Sequence, residues 1–189
     1  MSTIETMQPL IILIGYRGSG KTTVGKILAE RLGWVFLDAD AVLEERAGKS
    51  IRAIFAEDGE RSFRELESRI LAELCTRSQV VLATGGGVIL REANREALKS
   101  GFVVWLTASP GALWSRIEAD SSTAERRPSL AGGGLPEIER LLVIREPLYQ
   151  SCADLTISVE TLSPEEAANA ILAAWTFHSP KLFTSSPPS

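Results

Sequence analysis

The stretch Gly15-Tyr16-Arg17-Gly18-Ser19-Gly20-Lys21-Thr22 constrains this chain more than any other. It matches G-x-x-x-x-G-K-[ST], the Walker A pattern. In front of it stands Leu10–Ile14 (LIILI), a short apolar, β-prone run. Such a run reads as a strand buried on both faces, as in a parallel sheet. Behind it Thr22–Leu32 reads as a helix, with Val24, Ile27, Leu28 and Leu32 as its apolar stripe and Gly33 as its stop. Glycines let the backbone curl so that N–H groups point inward at phosphate oxygens, and the helix start adds partial positive charge. Gly18, Ser19, Gly20, Lys21, Thr22 and Thr23 are the residues this places around a polyphosphate. Lys21 is placed to reach the outer phosphates, and the Thr22 hydroxyl to ligate Mg²⁺. The motif specifies a nucleoside triphosphate and leaves kinase, GTPase and ATPase open.

Further strands are expected at Trp34–Leu37, Val80–Ala83, Phe102–Leu106 and Leu155–Val159, alternating with helices. The helices are read at 39–47, 51–56, 59–76, 91–99, 110–117, 135–149 and from Ser163-Pro164-Glu165-Glu166, a capping box, to about Trp175. Strands alternating with helices predict an α/β fold with a parallel sheet, whose ligands collect at the carboxyl ends of the strands. Residues 1–178 are read as one domain, with a polar, glycine-rich mobile loop at 119–134 and a disordered Ser/Pro tail at 179–189.

Counts of rare residues narrow the chemistry. The single histidine, His178, lies beyond the last regular pattern, which disfavours histidine triads and His-ligated zinc. Cys75 and Cys152 form no metal or redox motif and are expected as buried thiols in a reducing, cytoplasmic setting. Twenty Lys+Arg against 24 Asp+Glu give a net charge of -4, which argues against a general affinity for nucleic acid. No membrane span or signal segment is visible in the sequence.

The acceptor side of the chemistry is sought at the other strand ends. Asp38-Ala39-Asp40 follows the second strand, and residues two apart in an extended segment face the same way. One carboxylate would hold a metal-bound water and the other a substrate hydroxyl. The competing reading makes Asp40 a helix cap and leaves Asp38 solvated. Gly85-Gly86-Gly87 after the third strand reads either as a flexible loop or as close backbone approach to a ligand. Arg64 and Arg145, each unremarkable alone, together match the fork geometry of a carboxylate, and Glu67 lies on the helical face of Arg64. Arg126-Arg127-Pro128, in the polar loop, suits a lid over the phosphates.

Taken together these pieces resemble shikimate kinase, a small P-loop kinase of the nucleoside-monophosphate-kinase type. The resemblance runs from about Leu10 to Ala174 and rests on Gly15–Thr22 with Val24-Gly25, Leu37-Asp38-Ala39-Asp40, Ile54–Glu60, Phe63-Arg64-Glu65-Leu66-Glu67, Ala83–Gly87, Arg127-Pro128 and Arg145–Tyr149. It implies a three-layer fold with a five-stranded parallel sheet in the order 2-3-1-4-5, a helical acceptor-binding segment at about 39–67, and a mobile lid. It implies transfer of the ATP γ-phosphoryl group to the 3-hydroxyl of shikimate, with Mg²⁺, by a monomeric cytoplasmic enzyme. Asp40, Arg64, Gly86 and Arg145 would then bind shikimate, with Phe55 and Phe63 walling its ring. Lys21, Asp40 and Arg127 would be catalytic, Thr22 and Asp38 would serve the metal, and Arg116 would stack on adenine. The rivals are another small-molecule P-loop kinase, such as a gluconate kinase, and a related binding module without catalysis.

Overall fold

The computed structural model describes residues 9–119 and 134–178. Five strands, β1 (Leu10–Ile14), β2 (Val35–Asp38), β3 (Val80–Ala83), β4 (Phe102–Thr107) and β5 (Leu155–Ser158), form one sheet in the order β2-β3-β1-β4-β5. Every neighbouring pair is parallel. The helices are α1 (Lys21–Leu32), α2 (Ala39–Ala47), α3 (Ile51–Glu57), α4 (Gly59–Leu74), α5 (Glu92–Leu98), α6 (Pro110–Ala119), α7 (Leu135–Cys152) and α8 (Pro164–His178).

Position in the sheet explains each strand's pattern. β1 is central, and all five of its residues are fully buried. Ile11 and Leu13 enter a core with α1, α6 and α8, while Leu10, Ile12 and Ile14 enter a second core with α2 to α5. A strand covered on both faces has no use for polar alternation. The edge strand β5 alternates instead, with Leu155 and Ile157 partly buried and Thr156 and Ser158 exposed.

Local chemistry sets the helix ends. Gly33, at φ 66°, closes α1 in the left-handed conformation that glycine adopts without strain. The Ser109 hydroxyl accepts from the Ala112 N–H and caps α6. Ser163 and Glu166 make the reciprocal pair of a capping box at α8, at 3.2 and 2.7 Å.

Three expectations need correction. β2 runs one residue later than predicted, because Trp34 leaves the strand to pack edge-on against Trp175 at 5.8 Å. α8 continues past Trp175 to His178, since nothing there breaks a helix. Cys75 is buried, but Cys152 is only half-buried at the end of α7. Residues 120–133, which hold most of the expected lid, and the tail from 179 lie outside the described residues.

Candidate active site

β1 and β3 are neighbours, yet the connection out of β1 leads to β2 at one side and that out of β3 crosses to β4 at the other. A crevice opens where strand connections diverge in this way. Here it is a cleft of about 380 Å³. Its lining includes Gly18, Gly20, Lys21, Thr22, Thr23, Asp38, Asp40, Phe55, Arg64, Gly86, Arg116 and Arg145.

The phosphate loop leaves β1 through Gly15, with Gly18 and Gly20 at φ 80° and 83°. L side chains rarely adopt these angles, so the loop's curl depends on glycine. The Ser19 N–H closes onto the Tyr16 carbonyl at 3.2 Å. Lys21 Nζ donates to the carbonyl oxygens of Gly15 and Tyr16, both at 2.8 Å, and to Ser19 Oγ at 3.3 Å. These three acceptors are neutral. Ser19 itself is buried and lies along a smaller cavity with Arg116, Val159 and Leu162, beside the main cleft. Arg116 borders both cavities and donates to the Val159 carbonyl at 2.6 Å.

The competing reading, in which Asp40 caps the helix and Asp38 is merely solvated, is corrected by the structure. Asp38, not Asp40, caps α2. Its Oδ1 accepts from the N–H groups of Asp40 at 3.0 Å and Ala41 at 3.3 Å. Its Oδ2 accepts from the Thr22 hydroxyl at 3.2 Å, joining the end of β2 to the start of α1. Asp40 sits in the first turn of α2, so extended-strand periodicity does not apply to it, but it still lines the cleft.

Arg64 and Arg145 come from α4 and α7 and both reach the cleft, buried at 7% and 8% exposure. Arg64 Nη1 donates to Glu67 Oε2 at 2.8 Å, one helical turn away, and Glu67 is itself 5% exposed. Arg64 also reaches the exposed Glu60 at 3.3 Å. Gly87 makes this approach possible, because a Cβ there would stand 2.6 Å from Arg64 Nη1. The triple glycine therefore admits an arginine as well as bordering the cleft. Gly86 borders it directly, and its carbonyl accepts from the Tyr149 hydroxyl. Tyr149, stacked on Trp105, lies one turn beyond Arg145 and ties that part of α7 to the glycine loop.

Phe55 lines the cleft, whereas Phe63 does not. Phe63 is fully buried, tilted against Phe55 at 4.6 Å between ring centroids, with the Arg64 guanidinium at 5.0 Å from its ring. It supports the wall rather than forming it. Arg127, assigned to the lid, lies outside the described residues.

Sequence reasoning passed over Tyr16, Arg17, Glu137 and Leu141, all of which line the cleft. A signal existed for the last two. Counting back from Arg145 in steps of four along a helix reaches Leu141 and Glu137 on the same face. Burial raises the phenol pKa of Tyr16, while the charges of Arg17 and Arg145 pull it the other way and Glu137 pushes it up.

The likenesses to known proteins agree with this geometry. The family model described as shikimate kinase matches residues 17–176. A shikimate kinase from Rhodopirellula baltica is 43% identical over 176 residues, 92% of this chain and 94% of that protein. One from Thermobifida fusca is 46% identical over 164 residues, 87% of this chain and 93% of that one. Among solved structures, shikimate kinase from Acinetobacter baumannii in complex with shikimate superposes with a TM-score of 0.84. It is 40% identical, and the match covers 94% of this chain and 97% of that one. With a phosphate loop, two buried arginines and a glycine turn in one cleft, and relatives matched over nearly their whole length, this chain belongs to the shikimate kinase family.

Proposed function

We propose that this chain transfers the γ-phosphoryl group of ATP to the 3-hydroxyl of shikimate, a step toward chorismate and the aromatic amino acids. The observation that carries the proposal is the convergence of the phosphate loop, Asp40, Arg64 and Arg145 on one cleft. A phosphate loop alone is common to many enzymes. Two buried arginines beside it specify an anionic acceptor, since guanidinium forks match a carboxylate. The Phe55 ring in the same cleft suits a cyclic acceptor over an open-chain sugar acid. The shikimate bound by the Acinetobacter baumannii relative supports the same choice.

In this reading Arg64 and Arg145 grip the carboxylate and fix the ring. Asp40 accepts a hydrogen bond from the reacting hydroxyl and takes its proton as the new P–O bond forms. Lys21 moves from its loop carbonyls to the phosphate oxygens and follows the charge toward the leaving group. The small cavity beside Arg116 and Leu162 takes the adenine.

The residues present suit Mg²⁺. Thr22 and Asp38 set a hydroxyl and a carboxylate 3.2 Å apart, and both are hard oxygen donors. Among the described residues no group of three or more His, Cys, Asp or Glu forms a metal cage. Mg²⁺ commonly keeps several waters and is bound through one or two protein oxygens together with substrate phosphates. When bound, Mg²⁺ neutralises charge on the phosphates. The proposal takes the enzyme as a cytoplasmic monomer that needs no nucleic acid. The net charge of -4 supports the last point, and no helix among the described residues is long and apolar enough to cross a membrane.

The test is coupled ADP release by the purified protein with shikimate, with gluconate and without acceptor. Turnover dependent on shikimate alone is expected. Turnover with gluconate in its place, or none with either, would overturn the assignment.

A further inference from the structure

Tyr16 occupies a position where the Walker A pattern asks only for backbone. Yet it is 3% exposed. The guanidinium carbons of Arg145 and Arg17 lie 5.6 and 5.9 Å from its ring centroid, within cation–π reach. Its carbonyl accepts from Lys21 at 2.8 Å. One residue therefore touches the phosphate lysine through its backbone and Arg145 through its ring.

A buried guanidinium can be held in two ways. A carboxylate holds it by the N–H edge, as Glu67 holds Arg64 at 2.8 Å. An aromatic ring holds it by its face and leaves the edge open for a planar anion. Arg145 has no ion-pair partner among the described residues, and the ring beside it is Tyr16. Both arginines therefore lie beside a ring, Arg64 at 5.0 Å from Phe63 and Arg145 at 5.6 Å from Tyr16, but among the described residues only Arg64 also has a carboxylate on its N–H edge. A phenol is neutral at working pH, and burial shifts Tyr16 further toward the neutral form, so no phenolate competes with an acceptor's carboxylate for Arg145. Leu141 and Glu137 complete this side of the cleft from α7.

We propose that Tyr16 is a positioning residue for the acceptor. Its ring holds the Arg145 guanidinium by the face and leaves the N–H edge free for the acceptor's carboxylate. This rests on the reading of Arg145 as the carboxylate clamp.

Steady-state kinetics and melting temperature are compared for Tyr16→Phe, Tyr16→Leu, Arg145→Met and Tyr16→Leu with Arg145→Met. Losing a partly desolvated cation–π contact should raise the shikimate KM roughly 5- to 30-fold in Tyr16→Leu. The ATP KM and kcat should move by less than about twofold, as for a loss confined to acceptor binding. Tyr16→Phe keeps the ring and should restore the shikimate KM to within about threefold of wild type. With Arg145→Met in place there is no guanidinium to hold, so adding Tyr16→Leu should raise KM no further.

Three results would overturn the proposal. They are an undiminished effect of Tyr16→Leu in the Arg145→Met background, a Tyr16→Phe enzyme as impaired as Tyr16→Leu, and an ATP KM that rises alongside. A shikimate KM unchanged by Arg145→Met would remove the clamp reading and this proposal with it. A large Arg145→Met effect with an additive Tyr16→Leu would remove the Tyr16 proposal alone. Should Tyr16→Leu fail to fold, Tyr16→Met, unbranched and adaptable in packing, takes its place in the cycle.

Discussion

Replacing Glu67 by glutamine tests the proposed acceptor clamp at its most buried point. The change keeps shape and removes one charge. Glu67 and Arg64 have side chains 6% and 9% exposed and sit 2.8 Å apart. At that distance, with an effective dielectric near 20, their attraction is about 6 kcal/mol. Part of this is returned, because a neutral amide has no carboxylate desolvation to overcome and still accepts a hydrogen bond from Arg64. Breaking a buried pair by removing one charge costs roughly 3–5 kcal/mol. Glu60 remains within 3.3 Å of Arg64 but is half exposed, so it compensates weakly. A net loss of about 2–4 kcal/mol is expected for Glu67→Gln. For a domain of this size that lowers the melting temperature by roughly 5–15 °C. Circular dichroism melting measures it, and coupled ADP release measures the consequence for catalysis. With Arg64 no longer fixed, the shikimate KM should rise by about tenfold or more while the ATP KM changes little. A melting temperature within about 2 °C of wild type together with an unchanged shikimate KM would refute the reasoning. Arg64 would then not depend on Glu67 for its charge or its place.

Asp40→Asn leaves the α2 cap intact, because Asp38 provides it. The kcat should fall at least ~100-fold with melting temperature unchanged, and an active enzyme would remove Asp40 from the chemistry. Lys21→Ala removes the cation held by the loop carbonyls, and turnover should fall by ~100-fold or more with the fold intact by circular dichroism. Burial raises the Cys75 thiol to about 11, so in folded protein at pH 8 iodoacetamide should label Cys152 well before Cys75, as mass spectrometry would show. A thiol raised from 9.0 to about 11 on folding adds nothing to the pH dependence below the unfolded value. Its contribution is lost as pH climbs from about 9 through 11, so Cys75→Ala should flatten the alkaline fall of stability measured by urea titration.

Some of this protein was written in contiguous residues. LIILI announced a strand covered on both faces, because a residue run without polar alternation has no solvent side, and β1 is indeed fully buried. The loop that follows depends on glycines at fixed steps, and the capping box at Ser163 depends on a spacing of three, so both are local and legible. Asp38 and Asp40 were legible as a pair, but which of them caps α2 was not. Which one caps depends on where the strand ends and the helix begins, and backbone geometry settles that within a single residue. Likewise Phe55 and Phe63 have similar local patterns, and only the packing of α3 against α4 turns one to the cleft and buries the other. The meeting of Arg64 with Gly87, and of Arg145 with Tyr16, joins residues distant in the chain. Periodicity reports which face of an element is apolar, whereas convergence of polar groups from separate elements is set by strand order and helix packing. In this protein the phosphate-loop motif belongs to the sequence, and the cleft proposed for the acceptor comes into being only when the sheet brings β1, β3 and the two arginine-bearing helices to one crevice.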